Sequence, residues 1–294
     1  MAQSGLILVN KPQGFTSHDV VAKVRKAVGT RSVGHAGTLD PMATGLLVLG
    51  IESGTKLLTF IVGADKTYEA TIRLGASTVT DDAEGELVKQ VDASSITDDQ
   101  IRTEILKLTG KISQRPSSVS AIKVNGVRAY DQVRAGVEVE LKSREVEVSR
   151  FDLVGETTRD AGFVDLDVIV DCSSGTYIRA LARDLGASLG VGGHLTALSR
   201  TRVGEFQVGD AVSLEQLSEG DYEIISLLEA AKTVLPTLEI TEQQAIDFRN
   251  GKRLPGSVAV LTGVYSGTDF VAVVEAAESN LLKSVSVFPK ENHG

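Results

Sequence analysis

The sequence predicts an α+β protein whose strands form a mixed sheet. Short apolar or alternating runs typical of strands recur between helical stripes. These strands and helices do not alternate with the regularity of repeated βαβ units. The chain has 294 residues, of which 42% are hydrophobic and 23% charged. This length is sufficient for a sizeable core and predicts one large domain or two.

The first fifty residues predict a strand, a helix and a second strand. Leu6–Val9 and Leu46–Ile51 are short apolar runs, as expected for buried strands. Between them, Thr16 and Ser17 are N-cap candidates for a helix. Its apolar stripe consists of Val20, Val21, Val24 and Val28.

Three further elements have clear local signals. Tyr68–Leu74 and Phe163–Cys172 alternate in polarity and predict strands. Thr97 and Gln100 form a capping box that opens a helix. A second helix is predicted to end near Gly190, after a stripe formed by Leu181, Leu185 and Leu189.

A domain boundary is predicted near Pro236, dividing the chain into residues 1–235 and 236–294. The tail contains a short helical piece from Ile240, the loop Lys252–Gly256, and then three alternating runs typical of strands. The last residues are expected to be a frayed terminus.

The net charge of −9 argues against a nucleic-acid ligand, but the charges are unevenly distributed. Basic residues dominate 111–135 and 172–203, whereas acids dominate 81–104 and 205–242. A chain of this kind can present a basic face and an acidic back. Scattered, solvated charge is the alternative.

Several classes of site lack their sequence signals. Cys172 is the single cysteine, which excludes a disulfide framework and predicts a small buried residue. No GxGxxG is present, and Gly50–Lys56 is one residue too short for a P-loop. We expect neither a signal peptide nor a membrane span, and therefore a cytoplasmic protein. No close pair of metal ligands is formed by His18, His35, His194 and His293.

The segment Gly34–Gly45, GHAGTLDPMATG, places one carboxylate in a glycine-containing loop. Asp40 has no acidic neighbour closer than Glu52, so it is not part of a local carboxylate pair. Pro41 biases Asp40 away from the helical region and can open a helix or turn. Asp40 is therefore a candidate nucleophile. A capping aspartate in a tight turn is the alternative.

This loop resembles the signature of the TruB-type pseudouridine synthases, bacterial enzymes that act on uridine 55 in the T-loop of tRNA. Four other segments match the family in the expected order, and the resemblance covers about residues 5 to 235. The four segments are Asn10–Gly14, Lys66–Ala70, Cys172–Leu181 and Gly193–Thr201.

The resemblance implies a mostly antiparallel catalytic domain followed by a small, β-rich PUA-like domain that assists RNA binding. It implies that the target uridine is flipped out of the T-loop and isomerised to pseudouridine. This reaction breaks the N1–C1′ bond and forms a C5–C1′ bond without net redox change. No nicotinamide, metal or ATP is needed, so we expect no cofactor.

The resemblance assigns three catalytic roles. Asp40 is the nucleophile, and the Arg179 guanidinium orients its carboxylate. Pairing of Arg179 with Asp184 is the alternative. Tyr68 stacks on the uracil and places its hydroxyl near the sugar as a candidate base.

Four further residues are expected to bind RNA or line the pocket. Leu198 lines the uracil pocket, and His35 enters the space that the flipped base vacates. Lys11 lies beside the site in a structural or phosphate-contacting role. If residues 175–179 are extended, Tyr177 contacts the base from the same face as Arg179.

Residues 113–142 resemble the RNA-gripping insertion of the family, in which Lys123 and Arg128 are expected to contact phosphates. The family usually has a proline and an aromatic residue where this chain has Ser117 and Val119. This departure affects the expected packing beneath the pocket rather than the catalytic assignment.

The expected partner is the T-stem-loop of tRNA, bound by a monomer without an obligatory protein partner. Two other functions stay open from the sequence. One is a guide-RNA-dependent pseudouridine synthase, which acts with protein partners. The other is a non-catalytic chaperone of tRNA folding.

Overall fold

The computed structural model describes residues 2–117, 123–124, 127–128 and 142–290, with only the backbone given for 123–124 and 127–128. The chain divides into two compact units, which are described separately. The first comprises Met1–Pro41, Gly45–Gly63 and Val203–Gly294, and the second comprises Met42–Thr44 and Ala64–Arg202.

The N-terminal part of the first unit forms the predicted strand–helix–strand order. Strand β1 (Gly5–Lys11) pairs antiparallel with β3 (Thr44–Ile51), and the short β2 (Val33–His35) also pairs with β3. Helix α1 spans Ser17–Val28. The later elements of this part are α2 (Gly54–Ile61), β13 (Phe206–Gln207), a 3₁₀ turn (Val208–Asp210), α5 (Leu214–Glu219) and α6 (Leu227–Val234).

Helix α1 begins where its sequence predicts. Thr16 is the N-cap and forms a capping box with Asp19, so each side chain binds the backbone amide of the other residue. Gly29 ends the helix in the left-handed conformation, with φ of 73°. Val20, Val21 and Val24 are buried, which confirms the predicted apolar stripe.

The C-terminal part of the first unit has its own five-stranded sheet, in the order β14-β16-β17-β18-β15. Its pairs are antiparallel except for β14 with β16, and helix α7 (Glu242–Arg249) buries Phe248 against it. The predicted order of helix, loop and three strands is confirmed, whereas a boundary at residue 236 stays a prediction. The strands are β14 (Thr237–Glu239), β15 (Leu254–Pro255), β16 (Thr262–Ser266), β17 (Asp269–Ala277) and β18 (Leu281–Val287).

The second unit is built on a sheet in the order β12-β4-β11-β10-β7. Strand β4 pairs antiparallel with β11, and their buried residues alternate as predicted. The α+β, mostly antiparallel class is therefore confirmed. The strands are β4 (Lys66–Leu74), β7 (Gly110–Gln114), β10 (Arg144–Asp160), β11 (Phe163–Cys172) and β12 (Gly193–Val203).

Two helices among the described residues belong to the second unit. Helix α3 (Asp98–Lys107) has the predicted capping box of Thr97 and Gln100, and α4 spans Ile178–Ser188. Two small hairpins pair β5 (Ala76–Thr78) with β6 (Leu87–Gln90) and β8 (Lys123–Val124) with β9 (Val127–Arg128). None of the helices in the described ranges has the length and apolarity needed to cross a membrane.

Candidate active site

The Asp40 loop follows β2 and leads into β3, and its residues up to Pro41 belong to the first unit. Asp40 is half-buried and directly precedes a turn at Pro41 and Met42. The residue before it is anchored to the start of α1: the Leu39 amide donates to Ser17 Oγ at 2.9 Å, and Ser17 Oγ donates to the Leu39 carbonyl at 3.1 Å. Pro41 thus opens a turn rather than a helix, and the backbone leading into Asp40 is held by a buried hydroxyl.

Lys11 holds the other side of the same loop. Its side chain is fully buried, and its Nζ donates to three backbone carbonyls. The distances are 3.1 Å to Pro12, 2.7 Å to Phe15 and 3.3 Å to Pro41. Because a buried ammonium group needs such partners, Lys11 fixes the carbonyl that immediately follows Asp40. These contacts give Lys11 a structural position in the loop.

His35 lies at the end of β2, five residues before Asp40, and is half-buried. Its ring meets the ring of His18 from α1 edge-on, with centroids 5.9 Å apart and an interplanar angle of 83°. The first unit therefore brings Lys11, His35 and the Asp40 loop together around the start of α1.

Tyr68 and Leu198 lie on neighbouring strands of the second unit. Tyr68 is on β4 opposite Val170 of β11, and its side chain is 8% exposed. Leu198, also 8% exposed, is on β12, which borders β4. Thr44 Oγ1 donates to the Leu198 carbonyl at 3.4 Å.

Arg179 is the second residue of α4 and is 5% exposed. Its Nη1 donates to the Thr80 carbonyl at 2.8 Å and lies 3.4 Å from Asp82 Oδ2. Asp82 is itself 3% exposed, and its Oδ1 accepts bonds from the Thr80 hydroxyl and the Glu84 amide. A buried guanidinium therefore has a buried carboxylate beside it, which compensates part of the desolvation cost of both charges.

The alternative partner of Arg179 and the extended conformation considered for residues 175–179 are both wrong. Asp184, the alternative partner of Arg179, instead accepts from the Arg183 guanidinium at 2.9 Å. Residues 175–179 are not one extended segment, because helix α4 begins at Ile178. Tyr177 occupies the N-cap with extended backbone, and the Arg144 guanidinium lies 5.1 Å from the centre of its ring. The inference that extended backbone places Tyr177 and Arg179 on one face therefore fails.

Asp82 is the site residue that sequence reasoning missed. It stands in the acidic stretch 81–104, where a solvated charge was the natural interpretation. Its neighbour Asp81 has a positive φ of 59° and pairs with Arg183 at 3.3 Å. Burial raises the pKa of the Asp81 carboxyl, and the Arg183 charge opposes that shift. Two adjacent aspartates before a glycine were the available signal for a folded acidic turn.

A buried polar pair precedes Tyr68 in the second unit. Lys66 lies opposite Cys172, and its Nζ donates to the Ala64 carbonyl at 2.6 Å. Burial, assisted by the positive charge of Arg200, lowers the pKa of Lys66. Burial also raises the pKa of the Cys172 thiol to about 11, which confirms Cys172 as a small buried residue with little thiolate character.

Lys123 and Arg128 of the predicted insertion are directly opposite each other on the β8–β9 hairpin. Val119 and most of the remaining insertion lie outside the described residues. Ser117, one of the departures from the family pattern, is fully buried and donates from Oγ to the Thr80 carbonyl at 3.2 Å. Within residues 2–117 and 142–290, no group of three or more His, Cys, Asp or Glu side chains is arranged to hold a metal ion.

Comparison with known proteins identifies the family. Residues 25–178 match the TruB family pseudouridylate synthase N-terminal domain, and residues 179–236 match the tRNA pseudouridylate synthase B C-terminal domain. A curated relative from Arthrobacter sp. (strain FB24), tRNA pseudouridine synthase B, is 54% identical over 95% of this chain and 91% of its own length. A protein with the same name from Leifsonia xyli is 58% identical over 86% of this chain and 84% of its own length. Another, from Corynebacterium glutamicum (strain ATCC 13032), is 53% identical over 92% of this chain and 92% of its own length.

Solved structures agree with this fold. The chain aligns with a protein in the crystal structure of a Cbf5-Nop10-Gar1 complex with a TM-score of 0.71 and 24% identity, over 98% of this chain and 85% of that one. A protein in the crystal structure of the archaeal box H/ACA sRNP Nop10-Cbf5 complex aligns with a TM-score of 0.69 and 23% identity, over 98% of this chain and 86% of that one. At this identity the likeness concerns the fold alone. Taken with the sequence matches, it leads to one conclusion: this chain belongs to the TruB family of pseudouridylate synthases.

Proposed function

We propose that this protein isomerises uridine 55 in the T-loop of tRNA to pseudouridine without a cofactor. The observation that carries the proposal is the identity of 53–58% to proteins named tRNA pseudouridine synthase B, over 86–95% of this chain. Relatives this similar over nearly their whole length are expected to share substrate and reaction. The Asp40 loop and the buried Arg179 supply the side chains that the reaction requires.

Asp40 acts as the nucleophile in this proposal. The target uridine is flipped out of the folded loop, and the Asp40 carboxylate attacks C1′ as the N1–C1′ bond breaks, so that the uracil leaves with the bonding electron pair. The uracil turns, and C5 forms a bond to C1′ as the carboxylate departs. The proton on C5 is then removed, and N1 takes up a proton. Tyr68 stacks on the ring, Leu198 lines the uracil pocket, and the Tyr68 hydroxyl is the candidate base.

Arg179 orients the Asp40 carboxylate, since a guanidinium stays protonated and can bind both carboxylate oxygens. Its observed bonds to Thr80 and Asp82 support the role, because they fix the guanidinium before RNA binds. His35 enters the space left by the flipped base, and Tyr177 contacts the base. Lys11 holds the loop beside Asp40.

The proposed partner is the T-stem-loop of tRNA, gripped by Lys123 and Arg128 of the insertion, and the protein acts in the cytoplasm as a monomer. The catalytic domain ends near residue 235, and residues 236–294 assist RNA binding. A guide-RNA-dependent activity is not favoured. The relatives that share more than half of their residues with this chain carry the name of a tRNA enzyme, whereas those in H/ACA complexes share 23–24%.

The test is to incubate purified protein with an unmodified tRNA transcript and map pseudouridine at single-nucleotide resolution. The wild-type protein should modify position 55. Asp40→Asn keeps the shape of the side chain and removes its charge, so it should bind tRNA within a few-fold of wild type and yield no product. Asp210→Asn, a change at an exposed aspartate of the first unit, is the matched control and should be fully active.

Two outcomes would overturn parts of the proposal. If the wild-type protein makes no pseudouridine, the proposed function is wrong. Substantial turnover by Asp40→Asn, once mass spectrometry has excluded deamidation back to aspartate, would show that another group is the nucleophile.

A further inference from the structure

The start of helix α4 lacks the capping residues that other helices of this protein use. Five helices in the described ranges have a capping box, in which the side chain three residues after the N-cap accepts from the N-cap amide. Helix α4 has Tyr177 at the N-cap and Ala180 at the third helical position, and neither side chain caps the helix. The backbone amide of Tyr177 therefore needs a partner from another element.

Gln114, the last residue of β7, supplies that partner. The Tyr177 amide donates to Gln114 Oε1 at 2.8 Å, and Gln114 Nε2 donates to the Tyr177 carbonyl at 3.1 Å. The same carbonyl accepts the first helical bond, from the Leu181 amide at 3.2 Å. Gln114 is 1% exposed, so water does not compete for these bonds. One side-chain amide thus satisfies both polar groups of the N-cap residue across 63 positions of sequence.

The residues that follow Gln114 are bound to the same surroundings. The Arg115 carbonyl accepts from Arg183 Nη2 at 2.7 Å. Ser117 Oγ donates to the Thr80 carbonyl, which also accepts from Arg179. The segment 114–117, where the insertion of 113–142 begins, is therefore joined at three points to α4 and to the turn that holds Arg179.

The connection between residues 114–117 and α4 matters for function because Arg179 lies in the first turn of this helix. A cation in the first turn of a helix is disfavoured by the helix dipole, and α4 has no acidic residue there to compensate. Arg179 is also almost fully buried, so it cannot reach a new position by a simple rotamer change. Its location depends on where the first turn of α4 is held, and Gln114 holds that turn.

We propose that Gln114 is a positioning residue: by completing the N-terminal cap of α4, it holds Tyr177 and Arg179 in register with the root of the RNA-gripping insertion. The proposal rests on the proposed function and adds to it a link between the insertion and the arginine. The segment 114–117 thus connects the insertion, which binds the RNA, to the first turn of α4, which determines the location of the Arg179 guanidinium.

The first experiment replaces Gln114 with methionine, which has a similar length and no hydrogen-bonding amide. Single-turnover modification of a T-stem-loop hairpin at saturating protein should slow at least 10-fold, while the Kd for the hairpin stays within 3-fold. Gln90→Met, the same change at the exposed end of β6, should stay within 2-fold for both quantities. Circular dichroism and thermal melting establish that the variants are folded at the assay temperature.

The second experiment uses Gln114→Glu and does not depend on the fate of the methionine variant. A protonated glutamic acid can accept from the Tyr177 amide and donate to its carbonyl, as glutamine does, whereas the carboxylate can only accept. Burial favours the protonated form. The positive charges of Arg144, which lies opposite Gln114, and of Arg183 favour the carboxylate, so protonation requires the lower pH of the series. The rate of Gln114→Glu relative to wild type should therefore rise as the pH is lowered from 8 to 5.5. A purely structural role would change the melting temperature without producing this recovery.

The outcomes separate this inference from the proposed function. If wild-type protein makes no pseudouridine, the proposed function fails. If wild type is active and folded Gln114→Met is within 2-fold of it, or changes only the Kd, the positioning role is wrong. Should Gln114→Met not fold, the pH series decides, and a relative rate of Gln114→Glu that is independent of pH overturns the proposal.

Discussion

Two buried cations, Lys11 and Arg179, determine the local geometry around the residues proposed for catalysis. Lys11 is fully buried, and its ammonium group binds the Pro41 carbonyl next to Asp40. Arg179 is 5% exposed and is held by the Thr80 carbonyl and the Asp82 carboxylate. Because an uncompensated buried charge is costly, each cation constrains the backbone that satisfies it. At the scale of single residues, buried charge is therefore used here to fix loops.

Arg179→Lys should reduce the rate of pseudouridine formation by about 100-fold or more, the size of effect seen when one preorganised donor is lost. Lysine keeps the charge but lacks the planar fork, so one ammonium group has to replace donors that arginine directs to several acceptors. Single-turnover kinetics on the tRNA transcript measure the effect. Arg150→Lys, in an exposed pair with Asp152, is the matched control and should leave the rate unchanged. Near-wild-type turnover by Arg179→Lys would show that the fork is not needed.

Helix α4 and strand β12 approach each other through glycines. A Cβ atom added to Gly186 would lie 2.1 Å from the Gly192 carbonyl carbon and from the Gly193 amide nitrogen. Both contacts are with backbone, which cannot be moved by a rotamer change. At the scale of elements, the absence of side chains at these positions allows the helix that carries Arg179 to pack closely against the start of β12.

Gly186→Ala should destabilise the protein by about 1–3 kcal/mol or more, the usual cost of overpacking against atoms that cannot yield. In an unhindered helix the same change is favourable by about 1 kcal/mol, so the packing reverses the sign of the intrinsic propensity. Urea unfolding measures the difference. Gly63→Ala, which meets no atom within 4 Å, is the control and should change the free energy of unfolding little. A stabilised Gly186→Ala would contradict the close approach.

The insertion should make binding depend on salt despite the net charge of −9. Replacing Lys123 and Arg128 together with alanine should flatten the slope of log affinity against log salt by about 0.7–0.9 for each lost phosphate contact. Titrations of the hairpin at several salt concentrations measure the slope. Lys89→Ala with Arg102→Ala, in the acidic stretch 81–104, is the control and should leave it unchanged. An unaltered slope for the first pair would exclude both residues from phosphate binding.

The whole molecule combines an acidic overall charge with basic stretches at 111–135 and 172–203. Both basic stretches belong to the second unit, apart from Val203. The strongly acidic stretch 205–242 belongs to the first unit. The second unit also contains the acidic stretch 81–104, so basic and acidic stretches alternate along the chain. A net charge of −9 is still compatible with a family that acts on RNA, because association depends on the local field of the binding surface rather than on the sum of charges.

A T-stem-loop hairpin should be modified in the presence of EDTA and without ATP or nicotinamide. The isomerisation is redox-neutral and involves no hydrolysis, so the chemistry requires no metal or nucleotide. An unstructured oligonucleotide with the same uridine should react poorly, because the folded loop presents the flipped base. Mapping pseudouridine in both RNAs tests the two claims. Loss of activity in EDTA on a prefolded hairpin would contradict the cofactor-free reaction, and equal modification of both RNAs would contradict recognition of the loop.

Local sequence signals were sufficient for a large part of the fold. Strands β1, β3, β4 and β11 were predicted because their burial follows a period of two or a short apolar run within one segment. Helices α1 and α3 were predicted from capping boxes that join residues three positions apart. The family was identified from five motifs in order, and the matches over residues 25–236 confirm it.

Other features depended on the tertiary structure. The 11-residue strand β12 was seen only as a motif, since Gly193–Val203 mixes polar and apolar residues without a clear alternation. Asp82 appeared as one acid among eight in an acidic stretch, and Gln114 as a polar residue within the insertion 113–142.

The sequence by itself thus determined the family, several of the regular elements and the candidate nucleophile Asp40. Only the tertiary structure decided what holds Arg179: a carbonyl 99 positions away, the buried carboxylate of Asp82, and a helix start capped by Gln114 from 63 positions away. The physical reason is the range of the interactions. Periodicity and capping are satisfied within a few residues, whereas a buried charge or an orphaned amide takes whichever partner the packing of distant segments brings within hydrogen-bonding distance.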